Sequence, residues 1–403
     1  MVLLKALLSG IAATAAVGIA SYYGLQYYIS HAKLPPELTY TFEELCTSKG
    51  YKVQTHQITT NDGYILCLYR ISAKDQDFVK GKTPVLMVHG LTHHASSYVI
   101  SQKSKAPAFA LADEGFDVWL LNTRGNHLSR KHETLDANQP EYWEWCANHI
   151  GANDIPKTID YILEQTEKPK LNYIGHSQGC FVLFQCVCFR PDYGDKVNVA
   201  ALMAPVAGFI SVDTAYLRQL LNPPFLEVYE KKGINFLVNY SETPNYPARL
   251  AYAFPRYAAW KYQDKLDLYL NNEDPKDLAI YLQKFCGGTS IMNLKYWSQV
   301  LKERSPLPYS YDYGEEKNRE VYGTSKPPQM QLSNLRCKVA LLYGKYDTVI
   351  TPEDGKVSIS QMPQDKIIFQ KFDYNQDHAG FAVSANQEHM ADILKIFKEN
   401  PIE

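Results

Sequence analysis

A serine between two glycines is the strongest chemical signal in the sequence. Gly175, Ser177 and Gly179 form a G-x-S-x-G pattern, which follows an apolar run at residues 171–174 and precedes a second one at residues 180–189. A serine hydroxyl is a weak nucleophile that needs a base within hydrogen-bond reach, and a sharp strand-to-helix turn exposes it to one. The pattern therefore predicts Ser177 as the nucleophile of an acyl transfer, the alternative being an ordinary serine in a strand–helix turn.

The base must be a histidine further along the chain, because nucleophiles on such turns are followed first by the acid and then by the histidine. Two histidines follow Ser177. His389 lies within a helical pattern at residues 386–397, whereas His378 lies in a predicted loop after the last strand. We therefore expect His378 to be the general base.

The acid that orients the base is predicted to be Asp347. It comes shortly after a buried run at residues 339–343, at the carboxyl end of a predicted strand, where the other members of the site are expected. Asp377 is adjacent to His378 in sequence, and a neighbour rarely reaches the far ring nitrogen. The further candidates are Asp354, Asp365 and Asp373.

Two backbone amides should stabilise the developing oxyanion. The residue after the nucleophile, Gln178, is one predicted donor, and Leu91, which follows the apolar run 85–88, is the other. His93 and His94 lie nearby, but no third ligand is spaced with them, so we expect solvated loop side chains and no metal. The sequence has no G-x-G-x-x-G or Walker A pattern, so no cofactor is predicted.

The elements that must position these residues alternate between buried strands and helices. Residues 50–70 predict a hairpin around a turn at Asn61-Asp62-Gly63, and short apolar runs then alternate with helical stretches. This alternation predicts an α/β fold with a mostly parallel sheet covered by helices on both faces. We expect core segments at residues 33–207 and 333–403, interrupted by a helical cap at residues 208–332. Residues 216–221 and 225–229 of the cap could line an acyl pocket or pack within the cap.

Composition excludes other classes of protein. The 403 residues carry 41 Lys and Arg against 43 Asp and Glu, so a nucleic-acid partner is not expected. The hydrophobic content of 45% is that of a folded protein rather than a disordered one.

The first 32 residues predict a membrane anchor. Residues 6–28 contain no charge and are long enough to cross a bilayer as a helix. Small residues recur every fourth position, as at Gly10, Thr14 and Gly18, so membrane-protein partners could pack against this helix. The alternative is a signal peptide. The organelle and the side of the membrane stay open.

Several separated blocks resemble the acid lipase family of α/β-hydrolases, which includes gastric and lysosomal lipases and membrane-anchored steryl ester hydrolases. They comprise Asn61-Asp62-Gly63-Tyr64-Ile65-Leu66, His89-Gly90-Leu91, Asn122-Thr123-Arg124-Gly125-Asn126, the motif at residues 175–179, Gly288-Thr289-Ser290 with Tyr296-Trp297, and Tyr311-Asp312-Tyr313-Gly314. The resemblance implies the α/β-hydrolase fold, a Ser177–Asp347–His378 triad, and oxyanion donors at Leu91 and Gln178. One departure is Ala379-Gly380, where the family typically has Leu-Asp.

These observations predict a membrane-anchored serine hydrolase that acts on a lipid ester through an acyl-enzyme on Ser177. An alternative is an accessory subunit of a membrane complex that reuses the fold with little or no turnover. A third is cleavage of an amide or another acyl group by the same residues.

Overall fold

The computed structural model describes residues 23–24, 26–101, 106–212, 214–237, 243–254, 275–284, 287–384 and 386–402. Its strands are β1 Val53–Thr59, β2 Tyr64–Ile71, β3 Pro84–Val88, β4 Asp117–Leu121, β5 Lys131–His132, β6 Leu171–His176, β7 Val197–Met203, β8 Phe236–Leu237, β9 Thr289–Ser290, β10 Lys338–Gly344 and β11 Ile367–Tyr374.

The main sheet has the order β1-β2-β4-β3-β6-β7-β10-β11, and β5 pairs with the edge of β2. Strands β3, β4, β6, β7, β10 and β11 run parallel to one another, while β1, β2 and β5 are antiparallel to their neighbours. The predicted hairpin is confirmed as β1 and β2, joined through Gly63, whose φ of 89° favours glycine. The predicted mostly parallel α/β sheet is therefore correct.

Helices fill the connections between the strands. They are α1 Phe42–Thr47, α2 Pro107–Asp113, α3 Ala147–His149, α4 Ile155–Thr166, α5 Gln178–Phe189, α6 Pro191–Lys196, α7 Ala215–Leu220, α8 Pro223–Lys231, α9 Tyr246–Ala253, α10 Pro275–Lys284, α11 Ile291–Glu303, α12 Glu315–Tyr322, α13 Pro352–Ser360, α14 Gly380–Val383 and α15 Glu388–Glu399. Every residue of β3, β4 and β6 is buried. Because successive side chains of a strand point to opposite faces, both faces of the sheet centre are covered.

The strand order reverses between β3 and β6. The chain passes from β3 to β4 on one side and from β6 to β7 on the other, so the loops that leave β3 and β6 separate and open a crevice. The register pairs Val88 with Gly175 and His176 with Met203, so these strands end at one edge of the sheet. Ligands of open α/β sheets bind at this kind of position.

The region predicted as a cap contains α7 to α12 among its described residues. It also contains a short antiparallel pair, β8 with β9, which the sequence did not predict because each strand has only two residues. The first residues of this region are bound to α13, because the Asp354 carboxylate accepts hydrogen bonds from the backbone amides of residues 210–212 at 2.8–3.2 Å. The division into core and cap stays a prediction.

The predicted membrane anchor lies mostly outside the described residues. Of residues 1–32, the structure describes 23–24 and 26–32. None of the helices in the described ranges is long and apolar enough to cross a membrane. The side chains of Tyr23, Tyr27 and Tyr28 are 58–67% exposed.

Candidate active site

Ser177 lies in a strained turn between β6 and α5. Its φ of 53° and ψ of −118° are rare for a residue with a side chain, and its amide donates to the carbonyl of Met203 at 3.0 Å. The two flanking glycines are required by space, since a Cβ on Gly179 would lie 2.2 Å from the Val88 carbonyl oxygen. A Cβ on Gly175 would lie 2.8 Å from the amide nitrogen of Cys180. The glycines thus let the strand and helix close around the serine.

The structure brings Ser177, His378 and Asp347 together, with the His378 ring hydrogen-bonded to both of the others. The Nε2 atom of His378 lies 2.8 Å from Ser177 Oγ, and its Nδ1 atom lies 2.9 Å from Asp347 Oδ2. A carboxylate oxygen can only accept, so Nδ1 carries the proton and Nε2 is left to accept from the serine hydroxyl. This arrangement can take the serine proton during attack on a carbonyl carbon.

The second carboxylate oxygen of Asp347 is held by backbone amides. Its side chain is fully buried, and Oδ1 accepts hydrogen bonds from the amides of Val349 and Ile350 at 2.9 and 2.7 Å. The neighbouring Asp377 is occupied differently, because its Oδ1 accepts from the amide of Gly380 at 2.6 Å. His389 lies buried in α15. The structure thus brings Asp347 and His378 into contact beside Ser177, and their catalytic roles stay a prediction.

The loop that carries Leu91 and the start of α5 face the same cleft as the triad. Leu91, Ser177, Gln178 and His378 all line it. The first amides of a helix have no partner within the helix, so the amide of Gln178, the first residue of α5, is suited to an anionic oxygen. Both residues predicted to supply the oxyanion donors therefore line the same cleft as Ser177.

His89 holds the loop before Leu91. Its Nδ1 donates to the Gly90 carbonyl at 2.8 Å, and its Nε2 accepts from the amide of Thr123 at 3.2 Å. Burial lowers the pKa of His89 to about 4 from an ordinary value of 6.5, with the Gly90 hydrogen bond opposing. The neutral form is thus the one that the loop requires.

The expectation that His93 and His94 are solvated is wrong. Both rings are buried because α10 covers their loop: His93 Nε2 lies 3.1 Å from the Tyr281 hydroxyl, and His94 Nε2 donates to the Lys284 carbonyl at 2.7 Å. Burial lowers the pKa of His93 to about 3. Across the described ranges, no three His, Cys, Asp or Glu side chains are grouped so as to hold a metal ion.

The cleft above Ser177 is largely apolar. It contains about 660 Å³ of empty space, part of which is open to solvent. Its apolar lining comes from the sheet loops and from the region over the sheet, namely Val206, Phe209, Leu217, Leu220, Leu221, Trp297, Val349 and Ile350. Of the two runs expected to form an acyl pocket, the first contributes through α7 and Leu221. The second does not: Phe225 and Val228 of α8 are 57% and 44% exposed.

Sequence reasoning missed the role of His176. Its Nε2 donates to the backbone carbonyl of His378 at 2.7 Å, and its ring is fully buried. The only signal was its place inside the G-x-S-x-G pattern. At Gly380, where the sequence departs from the family, a Cβ would lie 2.4 Å from Gln376 Oε1 and 2.9 Å from Asp377 Oδ1, so these two side chains would have to shift.

A second feature missed from sequence is an ion cluster around Arg124, directly after β4. Its guanidinium contacts Asp154 at 2.6–2.7 Å and Asp62 at 2.7–2.9 Å, and it lies over the ring of Tyr64. Arg124 and Asp154 are both buried. Burial raises the pKa of Asp154, and the charge of Arg124 opposes this. Two of the sequence blocks that carry the family resemblance, those with Asp62 and Arg124, are therefore in contact through this ion cluster, which we interpret as structural rather than catalytic.

Comparisons with known proteins agree with this fold. The family model described as "alpha/beta hydrolase fold" matches residues 83–382, and the one described as "Partial alpha/beta-hydrolase lipase region" matches residues 42–102. Gastric triacylglycerol lipase of Homo sapiens is 29% identical over 384 residues, covering 91% of this chain and 92% of the relative.

Two further relatives extend the likeness. Lipase member K of Homo sapiens is 28% identical, covering 94% of this chain and 96% of the relative, and Lipase 1 of Drosophila melanogaster is 29% identical, covering 81% and 72%. A solved structure from Sulfolobus solfataricus superposes with a TM-score of 0.59 at 14% identity, covering 87% of this chain and 95% of that one, which supports the fold alone. The chain belongs to the α/β-hydrolase fold family and, within it, to the acid lipases.

Proposed function

We propose that this protein is a serine carboxylic ester hydrolase that cleaves lipid esters through an acyl-enzyme on Ser177. The observation that carries the proposal is the pair of hydrogen bonds made by His378, one to Ser177 Oγ at 2.8 Å and one to Asp347 at 2.9 Å. The relatives named as lipases, with the fold, support a hydrolase of lipid esters. The serine mechanism and its residues are the further step that we propose.

The reaction proceeds in two halves. Ser177 Oγ attacks the ester carbonyl carbon while His378 Nε2 takes the hydroxyl proton, and the amides of Leu91 and Gln178 stabilise the oxyanion. The tetrahedral intermediate expels the alcohol, which receives that proton from His378. Water then attacks the acyl-enzyme with His378 again as base, which releases the carboxylic acid and restores the serine hydroxyl. Asp347 keeps the imidazole in the required tautomer throughout.

The substrate class follows from the lining of the cleft. Most of the side chains that line it are apolar, and an acyl chain gains free energy by leaving water for such a surface, at about 25 cal/mol per Å². We infer that the acyl chain lies against α7 and Trp297, with its carbonyl next to Ser177.

Attachment to a membrane through residues 1–32 is part of the proposal. It rests on the charge-free run at residues 6–28 and on the exposed tyrosines at its end. Extraction of membranes with alkaline carbonate checks it: the full chain should stay in the pellet, and its release into the supernatant would contradict an anchor.

A fluorophosphonate probe tests the serine chemistry. Wild-type protein should be labelled and should hydrolyse lipid esters, and Ser177→Ala should do neither. Ser360→Ala, at an exposed serine of α13, is the matched control and should behave as wild type. Labelling of Ser177→Ala equal to that of wild type would overturn the assignment.

Nothing among the described residues favours the accessory-subunit alternative. It is checked by native electrophoresis of a mild detergent extract. We expect the esterase activity to migrate with the free protein, whereas migration with a large complex that lacks activity would support the alternative.

A further inference from the structure

The side chain of Gln178 is held from outside the sheet by two residues of one helix. Its Oε1 atom accepts a hydrogen bond from Asn293 Nδ2 at 2.9 Å and another from Trp297 Nε1 at 2.7 Å. Asn293 and Trp297 are four residues apart on α11, so they lie on the same face of that helix. All three side chains are buried, which makes these hydrogen bonds costly to lose.

Asn293 is itself fixed in orientation. Its Oδ1 accepts from the amide of Ala147 at 2.8 Å, and this contact identifies which end of the side-chain amide is the oxygen and which is Nδ2. The two N–H groups of Nδ2 then go to Gln178 and to the hydroxyl of Thr289, at 3.0 Å. Ser290 caps α11 through the amide of Asn293. Three contacts besides the one to Gln178 therefore hold the side chain of Asn293 in place.

Gln178 is also the residue whose backbone amide is proposed to stabilise the oxyanion. A donor of this kind is effective because it is already in place when charge develops. A misplacement of about 1 Å can cost 100-fold in rate. The N–H of this amide has no partner within α5, because it is the first of the helix. The Ser177 carbonyl of the same peptide unit accepts from the amide of Cys180 at 2.8 Å, and the side-chain contacts to α11 supply a second restraint.

We propose that Asn293 and Trp297 are positioning residues that hold the oxyanion amide of Gln178 in place. The ring of Trp297 also lines the cleft, so one side chain forms a wall for the acyl chain and restrains the oxyanion donor. The inference rests on the proposed serine hydrolase function. It assigns a catalytic consequence to α11, which carries no member of the triad.

Trp297→Phe removes the indole N–H and keeps an aromatic wall. We expect kcat for a soluble short-chain ester to fall about 10-fold, less than the 10²–10³ typical for loss of a whole oxyanion donor. KM should stay within about twofold, since a donor that acts in the transition state leaves substrate binding unchanged. The Ki of a trifluoromethyl ketone, whose serine adduct bears an oxyanion, should rise by the same factor as kcat falls.

Tyr296→Phe is the matched control. Tyr296 is a buried neighbour on α11 whose hydroxyl donates to the Tyr309 carbonyl, whereas the hydrogen bonds to Gln178 Oε1 come from Asn293 and Trp297. It should keep kcat and Ki within about twofold of wild type. Equal losses in Trp297→Phe and Tyr296→Phe would overturn the proposal, because a general loosening of α11 would then explain both.

Gln178→Met removes the shared acceptor and gives a second line of test that does not depend on folding of the tryptophan variant. We expect a fall of about 10-fold or more in kcat, and adding Trp297→Phe or Asn293→Ala should cause no further fall. Multiplicative losses in the double variants would contradict action through Gln178. Ser177→Ala separates the two claims: if it retains hydrolysis, the proposed function fails, and if it is inactive while Trp297→Phe matches its control, only the positioning role fails.

Discussion

His176 Nε2 lies 2.7 Å from the backbone carbonyl oxygen of His378. The residue before the candidate nucleophile thus holds the loop that carries the candidate base, across 202 positions of sequence. Burial lowers the pKa of His176 well below its ordinary value, so its ring is neutral and the proton on Nε2 is the one donated. Two hydrogen bonds therefore join the turn that carries Ser177 to the loop that carries His378: the one between their side chains and the one from His176.

Replacement of His176 should slow catalysis without removing a reacting group. In His176→Phe the carbonyl of His378 loses its donor, and we expect kcat/KM to fall about 10-fold from misplacement of the imidazole. His176→Gln can offer an amide N–H near the former Nε2 and should recover part of this loss. Steady-state kinetics with a soluble ester measure both variants, and equal rates for the two would contradict a role of the hydrogen bond.

Arg124 should govern stability rather than chemistry. Arg124→Met leaves the buried Asp154 carboxylate without its partner, and breaking a buried pair costs about 3–5 kcal/mol. Arg319→Met breaks an exposed pair with Glu315 on α12 and should change the free energy of unfolding by less than about 0.5 kcal/mol. Denaturant unfolding measures both, and similar values for the two variants would refute the importance of the cluster.

Acid should destabilise the fold through His89. Its pKa in the folded protein, about 4, is below the ordinary 6.5, so the unfolded chain binds the proton more readily. The contribution of His89 to the free energy of unfolding is constant above about pH 6.5 and falls as the pH drops from there toward 4, by about 3 kcal/mol at most.

His89→Asn tests this origin, because an amide can still donate to the Gly90 carbonyl but does not gain charge in acid. The loss of unfolding free energy between pH 7 and pH 4.5 should be smaller in His89→Asn than in wild type. His31→Asn, at an exposed histidine, should show the wild-type loss. An unchanged pH dependence in His89→Asn would rule out its contribution.

Leu220 should limit the length of the acyl chain. It lines the cleft from α7, so Leu220→Trp fills space that a long chain needs while leaving Ser177 accessible to a short one. We expect the ratio of kcat/KM for a long-chain over a short-chain ester to fall about 10-fold, the loss of roughly two buried methylene groups. An unaltered ratio would place the acyl chain elsewhere.

The strands that carry the site could be predicted because parallel strands are buried on both faces. Such strands are short apolar runs, and the runs at residues 85–88, 197–203 and 339–343 are strands in the structure. Ser177, Asp347 and His378 could then be placed at strand ends, since order along the chain and sheet position leave few candidates.

Contacts between distant segments could not be read from sequence. His93 and His94 are polar residues in a predicted loop, which is typical of an exposed position. They are buried because α10, about 190 residues further along the chain, covers them. The bond between His176 and His378, and those from Asn293 and Trp297 to Gln178, likewise join segments whose approach depends on the whole fold. Hydrophobic patterns along the sequence predict helices and strands. They do not predict which distant loops are joined by side-chain hydrogen bonds.

Direct detection of the acyl-enzyme tests the central claim most closely. A p-nitrophenyl ester is mixed with the protein, the reaction is quenched in acid within milliseconds, and digested peptides are weighed by mass spectrometry. We predict an added acyl mass on the peptide that contains Ser177, no such mass in Ser177→Ala, and little in His378→Ala. An acyl group on another residue, or turnover by Ser177→Ala at the wild-type rate, would contradict the account.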